Sequence, residues 1–505
     1  MHDAMAGTDP STLADSALMV EQPPGGPARP APNPNRVRVA FLVAVLGFLG
    51  IAGGWAVAMP FNGTYDEASH IIRAYGVASG QIVARDGTQR VPRSLLPGQR
   101  NCQWHLRLAA NCQTPPANDR HRVSVPTGAA GYSPLYYLPV GLPLLIAPDH
   151  GGIIAARLVS ALLAALLLGA AFAIAVALRN RLLMAAIPVV ATPMVANLAG
   201  AINPNGTEIA AGVLLWTCLL ALLRTGRAGE ADALSEPVRH RLVQLATIAG
   251  VLLLWLRHLG PVLVAISLLA AWAIARPGRV RELLRRRDVR IAGVVLAVAL
   301  AIAAVWILVF GRQSIAANAA TAHPDWGLTQ ILVLVLVSRL VFYAQQVVGQ
   351  FSYGETTLPA WLYIGWYVLV AAMALPAVLL SGRRYRRGMA GLLVACVGFL
   401  VVLELAFVHS SGWFAHARYV MPAGVGLVLG AAFVRRWAGA LGSDGVVRLA
   451  RLAIVVTAAF QLYALAAVMT RFQAGPDAVI NPWYTKSWSP PGGPTVSLII
   501  EAAGL

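Results

Sequence analysis

Apolar runs long enough to cross a hydrocarbon core of about 30 Å alternate with short arginine-rich stretches along most of this chain, which predicts a bundle of membrane-spanning helices. The first run, Val37 to Met59, stands behind Arg36 and Arg38 and reads as a signal anchor with its N-terminus inside. Further runs lie near 152–178, 182–201, 207–223, 242–257, 259–275, 291–310, 360–381, 389–408, 419–434 and 450–469, which makes eleven spans with the first. The arginine stretches test that count. Arg179 and Arg181, and the loops 224–241, 276–290, 383–387 and 435–451, all fall on the cytoplasmic side if eleven helices cross. Gln330 to Gly349 is a further apolar stretch that breaks the pattern if it crosses. It is therefore expected to lie flat on the outer surface or to re-enter, consistent with Arg339, Gln345 and Gln346 inside it.

The expected architecture is an all-α polytopic membrane protein of about eleven transmembrane helices, N-terminus in and C-terminus out. Residues 1–35, rich in Pro, Ala, Gly and Ser without apolar periodicity, are expected to form a disordered cytoplasmic tail. Residues 36–469 form the bundle, with a large first external loop at 60–133 and a second at 311–359, and residues 470–505 form an external tail. No sequence repeat at solenoid periods is visible.

Composition supports this reading and removes one alternative. The 505 residues are 58% hydrophobic and only 12% charged, too apolar for a soluble chain. The formal charge of +18 suggests nucleic acid only until the cations are placed, because they cluster in loops between apolar runs. Lys486 is the single lysine, so the basic charge is nearly all arginine, which points to a GC-rich bacterial genome such as an actinomycete's. Cys218 and Cys396 fall in apolar runs, whereas Cys102 and Cys112 share the first external loop and are a candidate disulfide if that loop faces an oxidising compartment. A phosphate-binding G-x-x-x-x-G-K loop, a nucleophile elbow and paired C-x-x-C motifs are all absent from the sequence, so nucleotide-driven soluble chemistry has no support.

The densest chemistry follows the first span directly: Pro60, Phe61, Asn62, Gly63, Thr64, Tyr65, Asp66, Glu67, Ala68, Ser69, His70. If Asp66 opens a short helix, His70 lies four residues on along the same face, with Arg73 at the next step. That grouping can hold a base, an orienter and a phosphate-binding cation; equally, the two carboxylates can serve the helix dipole, with His70 and Arg73 on a solvated face. A divalent metal on Asp66, Glu67 and His70 is possible but not favoured, since no second ligand cluster accompanies them.

Charges that interrupt apolar sequence supply further candidates. Arg257 and His258, followed by Gly260 and Pro261, sit at an expected outer turn and either bind phosphate or snorkel. His409, His416 and Arg418 lie near Trp413, Phe414 and Tyr419 in a short late loop, where aromatics can stack on a sugar face or form the interfacial belt. Arg157 and Glu404 are intramembrane charges that either act on a ligand or pair within the bundle. Tyr132, Tyr136 and Tyr137, and Asn203 and Asn205 ahead of Glu208, read as belt and turn features, and Glu355 as a loop charge.

With its first external loop opening on a carboxylate, the chain resembles the GT-C superfamily of membrane glycosyltransferases. More closely, P-F-N-G-T-Y-D-E-A-S-H at 60–70 and A-Y-G-V-A-S-G at 74–80 resemble the membrane proteins of domain-of-unknown-function family 2142. So do Y-S-P-L-Y-Y at 132–137, T-P-M at 192–194, I-N-P-N-G at 202–206 and A-R-Y-V-M-P at 417–422. The resemblance implies a catalytic base at Asp66 with Glu67 as its acidic neighbour, and a sugar leaving a polyprenyl phosphate with inversion.

The expected function is transfer of a sugar from a polyprenyl-phosphate donor to an envelope glycan or glycolipid, on the extracytoplasmic face of a bacterial plasma membrane. Asp66 is the expected base, tuned by Glu67 and His70. Arg73, Arg157, Arg257, His258, His409, His416 and Arg418 are the candidates for substrate and lipid phosphate. No cofactor is required, the partners are the lipid donor, the acceptor and membrane lipids, and no nucleic acid is involved. The rivals are a transporter or flippase using Arg157 and Glu404 as a pathway, and a non-catalytic partner of an envelope-synthesis complex.

Overall fold

A computed structural model describes residues 33–96, 108–112, 118–226, 233–311, 321–352, 354–484 and 488–505. Helix α1 (Pro34–Ala58) starts where Asn33 accepts the Asn35 N–H and proline takes the first helical position, whose N–H needs no partner. A loop then turns the chain into α2 (Glu67–Ala78), a short helix buried along most of its length. Strands β1 (Thr88–Pro92) and β2 (Arg122–Pro126) pair antiparallel, Thr88 opposite Pro126 and Pro92 opposite Arg122. The chain re-enters through α3 (Pro134–Ile146), which lies against α2. Gly141 allows that approach, since an added Cβ would stand 2.1 Å from the Ala74 carbonyl oxygen.

Helix α4 (His150–Ala177) packs on α1. Next come α5 (Arg181–Val190) and α6 (Pro193–Ala199), joined at a 68° bend. Pro193 causes the break, because a residue before proline is pushed out of the helical region and Thr192 is accordingly extended. Helix α7 (Pro204–Arg224) is buried nearly throughout and forms the centre of the bundle. Around it stand α8 (Glu236–Leu256), α9 (Gly260–Ile274), α10 (Arg279–Arg285), α11 (Arg287–Phe310), α12 (Leu328–Val348), α13 (Ala360–Leu379), α14 (Arg383–Ser411), α15 (Met421–Phe433) and α16 (Arg435–Ala474). A second hairpin, β3 (Gln350–Phe351) with β4 (Thr356–Thr357), follows α12. Helix α17 (Pro494–Gly504) ends the chain.

The all-α polytopic architecture is the one the sequence predicts, but the tally of long helices differs. Among the described residues nine helices are long and apolar enough to cross a membrane, or ten if the bent α5–α6 pair counts as one. The run at 259–275 forms only the 15 residues of α9, and that at 419–434 the short α15. At 1.5 Å per residue neither matches a hydrocarbon core of about 30 Å. Residues 330–349, expected to lie flat on the outer surface or to re-enter, form most of the 21-residue α12, whose length and hydropathy alone would suit a span. Its start lies beside His409 at the end of α14 and its end meets His416. Arg339 is accommodated there because it pairs with Glu404 of α14 at 3.1 Å.

The C-terminal segment, expected to stand outside, lays α17 along the middle of α1. Gly47, Gly50 and Gly54 permit the contact, and an added Cβ at Gly50 would meet the Gly504 Cα at 2.8 Å. Trp55 Nε1 donates to Glu501 Oε1 at 3.1 Å across that seam.

Candidate functional site

The loop between α1 and α2 is held in an uncommon shape. Asn62 and Asp66 both adopt the left-handed region, with φ of 53° and 59°. Asn and Asp tolerate it better than other L-residues, and such strain persists only where the surroundings enforce it. The enforcement is visible: Asn203 Nδ2 donates to the Tyr65 carbonyl at 2.8 Å, and Asn197 Nδ2 to the Thr64 hydroxyl at 3.3 Å. Asn62 Oδ1 accepts the Ala68 N–H at 3.1 Å and so satisfies an N-terminal donor of α2. Asp66, at the N-cap position, makes no capping bond. Its carboxylate is about half exposed and its Oδ2 accepts from Arg418 Nη2 at 2.7 Å.

Glu67, one residue on, is in the opposite situation. It is fully buried and takes a bidentate pair from Arg157 of α4, Nε to Oε1 at 2.7 Å and Nη2 to Oε2 at 2.6 Å. Arg157 also donates to the carbonyls of Ala56, Met59 and Pro60, and the Ile202 N–H donates to Glu67 Oε1 at 3.2 Å. This pair ties the end of α1, the start of α2, α4 and the 202–206 turn into one unit. Arg73 is likewise committed to structure: its Nη2 donates to the Ile82 and Tyr132 carbonyls at 2.9 and 2.7 Å.

Arg418 is 2% exposed, with its guanidinium 4.2 Å over the Tyr65 ring and 5.3 Å over that of Tyr419. Its Nε and Nη1 are buried and make no hydrogen bond. Arg257 also lies over Tyr419, at 4.6 Å, donates to Asn205 Oδ1 and to the Tyr132 hydroxyl, and has Glu208 3.6 Å away. His258 Nε2 binds the Gly131 carbonyl at 2.9 Å and its ring meets Tyr132 edge-on.

His416 is oriented by Gln346 of α12. The Gln346 Oε1 accepts the Ala417 N–H at 2.9 Å, which leaves its amide NH2 to donate to His416 Nδ1 at 2.8 Å and to the Tyr65 hydroxyl at 3.2 Å. His416 Nδ1 is thus an acceptor, so the neutral ring carries its proton on Nε2. Burial first, then the charges of Arg418, Arg339 and Arg257, push this imidazole well below its usual pKa. Glu404 supports the same segment from α14, accepting the Phe414 N–H at 2.8 Å while Arg339 donates to the Ala415 carbonyl at 2.9 Å.

His70 Nδ1 is 2.8 Å from the Tyr137 hydroxyl. Burial, opposed by Asp66 and reinforced by Arg257 and Arg418, lowers its pKa to about 3. An unfolded chain binds this proton near pH 6.5, so stability from a neutral His70 is complete above that pH and is lost as pH falls toward about 3. His70→Gln is therefore expected to flatten the loss of stability between pH 7 and pH 5 by about 1–2 kcal/mol, read from thermal unfolding at the two pH values.

The structure thus gathers Asp66, His70, Arg257, His258, His416 and Arg418 from three separated segments around Tyr65, Tyr132 and Tyr419. It does not bring His409 there: that side chain is exposed and binds the Trp326 carbonyl at 3.0 Å. Cys102 and the Cys112 side chain lie outside the described residues. Among the described residues, no group of three or more His, Cys, Asp or Glu is placed to hold a metal ion.

Sequence reasoning misses Gln346 as the orienter of His416, and it leaves Tyr65 and Tyr419 without a role as the rings that carry the arginines. It also misses the β3–β4 hairpin, where Gly354 at φ 100° comes so close that an added Cβ would stand 3.0 Å from the Tyr65 hydroxyl. Glu355 of that hairpin pairs with Arg471 at 3.2 Å.

The model of the family described as "Predicted membrane protein (DUF2142)" matches residues 48–427. The chain belongs to this family. The match runs from the middle of α1 into α15 and includes every DUF2142 side chain of the site just described, leaving α16 and α17 beyond it. No curated protein matches the chain. Among solved structures, the DUF2142 chain is similar to ArnT from Cupriavidus metallidurans in the apo state, at 15% identity over 93% of this chain and 74% of that one, with a TM-score of 0.42. It is likewise similar to the same protein bound to undecaprenyl phosphate, at 14% identity over 94% and 75% of the two chains and a TM-score of 0.43.

Proposed function

We propose that this DUF2142 protein is an inverting glycosyltransferase of the GT-C type. It moves a sugar from a polyprenyl-phosphate donor to an envelope glycan or glycolipid at the outer face of a bacterial plasma membrane. The observation that carries the reading is the Asp66–Arg418 pair: a half-exposed carboxylate in a strained loop, held at 2.7 Å by a buried arginine whose Nε and Nη1 make no hydrogen bond.

In the proposed reaction the acceptor hydroxyl gives its proton to an oxygen of Asp66 as its own oxygen attacks the anomeric carbon. The bond from that carbon to the phosphate oxygen breaks, and its electron pair leaves on the polyprenyl phosphate. Arg418 through Nε and Nη1, and Arg257 beside it, stabilise the charge that grows there. The Nε2–H of His416 offers a neutral donor to a substrate oxygen. Glu67 and Arg157 hold Asp66 in place rather than meeting substrate. Arg157 and Glu404, the charges that a transport pathway would use, are each buried in an ion pair, which favours the enzyme over the transporter.

Arg418→Gln is expected to reduce kcat/KM for the donor by about 10- to 100-fold, while Arg418→Lys recovers part of the charge but not the fork of donors. Steady-state kinetics in nanodiscs measure both. The reading itself is tested by the anomeric configuration of the product formed from labelled polyprenyl-phosphate sugars and envelope acceptors. Inversion agrees with it, and retention of configuration would overturn it.

A further inference from the structure

At the opposite end of α14 from the candidate site the structure holds a second charged feature. Helix α14 has 29 residues, so its two ends stand about 40 Å apart. The segment carrying His416 and Arg418 follows its C-terminus, whereas its N-terminus opens a groove of about 1,280 Å³. Arg383, Arg384, Arg386 and Arg387 line that groove, joined by Arg436 from the start of α16. Among the described residues that line it there is no Asp or Glu. Among the described residues no carboxylate pairs with any of the four arginines of α14.

The other wall is apolar. Leu269 and Trp272 of α9 are 64% and 58% exposed into it, and Leu392 and Ala395 of α14 continue it along the bundle. The geometry is fixed by close helix contact. Gly388 packs so tightly that an added Cβ would lie 2.4 Å from the Ile274 side chain, and Arg384 Nε donates to the Ala273 carbonyl at 3.0 Å.

Four arginines in one helical turn repel one another, and at a helix N-terminus the dipole adds to the positive potential. An anion at this place relieves both effects. A water-soluble anion would satisfy the arginines yet leave Leu269 and Trp272 uncovered beside them; an anion bearing acyl chains covers both. We propose that this groove binds an anionic phospholipid of the inner leaflet. Its phosphate sits among Arg383, Arg386 and Arg387, and an acyl chain lies along α9 over Trp272.

Trp272 makes the proposal measurable, because brominated acyl chains quench tryptophan only on contact. Full-length protein is placed in phosphatidylcholine nanodiscs with a small, equal fraction of brominated phosphatidylglycerol or brominated phosphatidylcholine. The quenching that disappears in Trp272→Phe is taken as the groove signal. That signal is expected to show a preference for phosphatidylglycerol of about fivefold or more. The preference should vanish in the triple variant R383Q/R386Q/R387Q and persist in R383K/R386K/R387K, with elution and emission unchanged. If the triple glutamine variant does not fold, R386Q alone should lower the preference. Equal quenching by the two lipids, or a preference unchanged by glutamine, overturns the proposal. Loss of the preference on adding inorganic phosphate alone, at constant ionic strength, assigns the groove to a free anion and overturns it as well.

Discussion

Asp66→Asn is expected to lower kcat for sugar transfer by about 10²- to 10⁴-fold, the usual contribution of a positioned general base, with little change in donor KM. The amide keeps the size of the side chain and its carbonyl oxygen still accepts from Arg418, but it cannot take up the acceptor's proton. Asp66 is itself half exposed, but Arg418 is buried and loses its counter-charge, so the melting temperature should fall as well, by less than for the fully buried Glu67–Arg157 pair. Steady-state rates with thermal unfolding of the same preparation measure both. A rate within about tenfold of wild type would remove Asp66 from the base role.

Glu67→Gln is expected to act on the other quantity. Arg157 and Glu67 are both fully buried, and removing one charge of such a pair strands the other at a cost of about 3–5 kcal/mol. Arg157→Met should be equally damaging. The double variant Glu67→Met with Arg157→Met should recover much of the loss, because replacing a whole buried pair by apolar side chains is far less costly than halving it. Thermal unfolding in nanodiscs of the two single variants and the double one measures these differences. If Glu67→Gln instead leaves stability intact and suppresses turnover as Asp66→Asn does, the division of labour between the two neighbours is wrong.

That division shows where a sequence stops being informative. Asp66 and Glu67 are adjacent and chemically alike. What separates them is Arg157, 90 positions away, and the left-handed turn that sends one carboxylate inward and the other toward Arg418. The helical membrane architecture is legible because hydrophobic length and arginine placement are local properties. The pairing that settles Arg339 within α12 is not, since its partner Glu404 lies 65 positions on. The lengths of α9 and α15 are equally hidden, because apolar composition does not say where a helix ends.

Within the site, the polar motifs at 60–70, 202–206, 257–258 and 416–418 are visible as charges or amides interrupting apolar sequence, and the fold brings them together. Arg73 is as visible as Arg418, yet its donors go to backbone carbonyls that no periodicity reveals. Gln346 is a single amide in an apolar run, and only the facing Ala417 N–H and His416 ring give it a role.

The most direct measurement of the central claim is release of labelled polyprenyl phosphate by the purified wild-type protein in nanodiscs, using a panel of polyprenyl-phosphate sugars with and without envelope acceptors. The account predicts release from at least one donor, dependent on the acceptor. No release from any donor by a folded protein would contradict it.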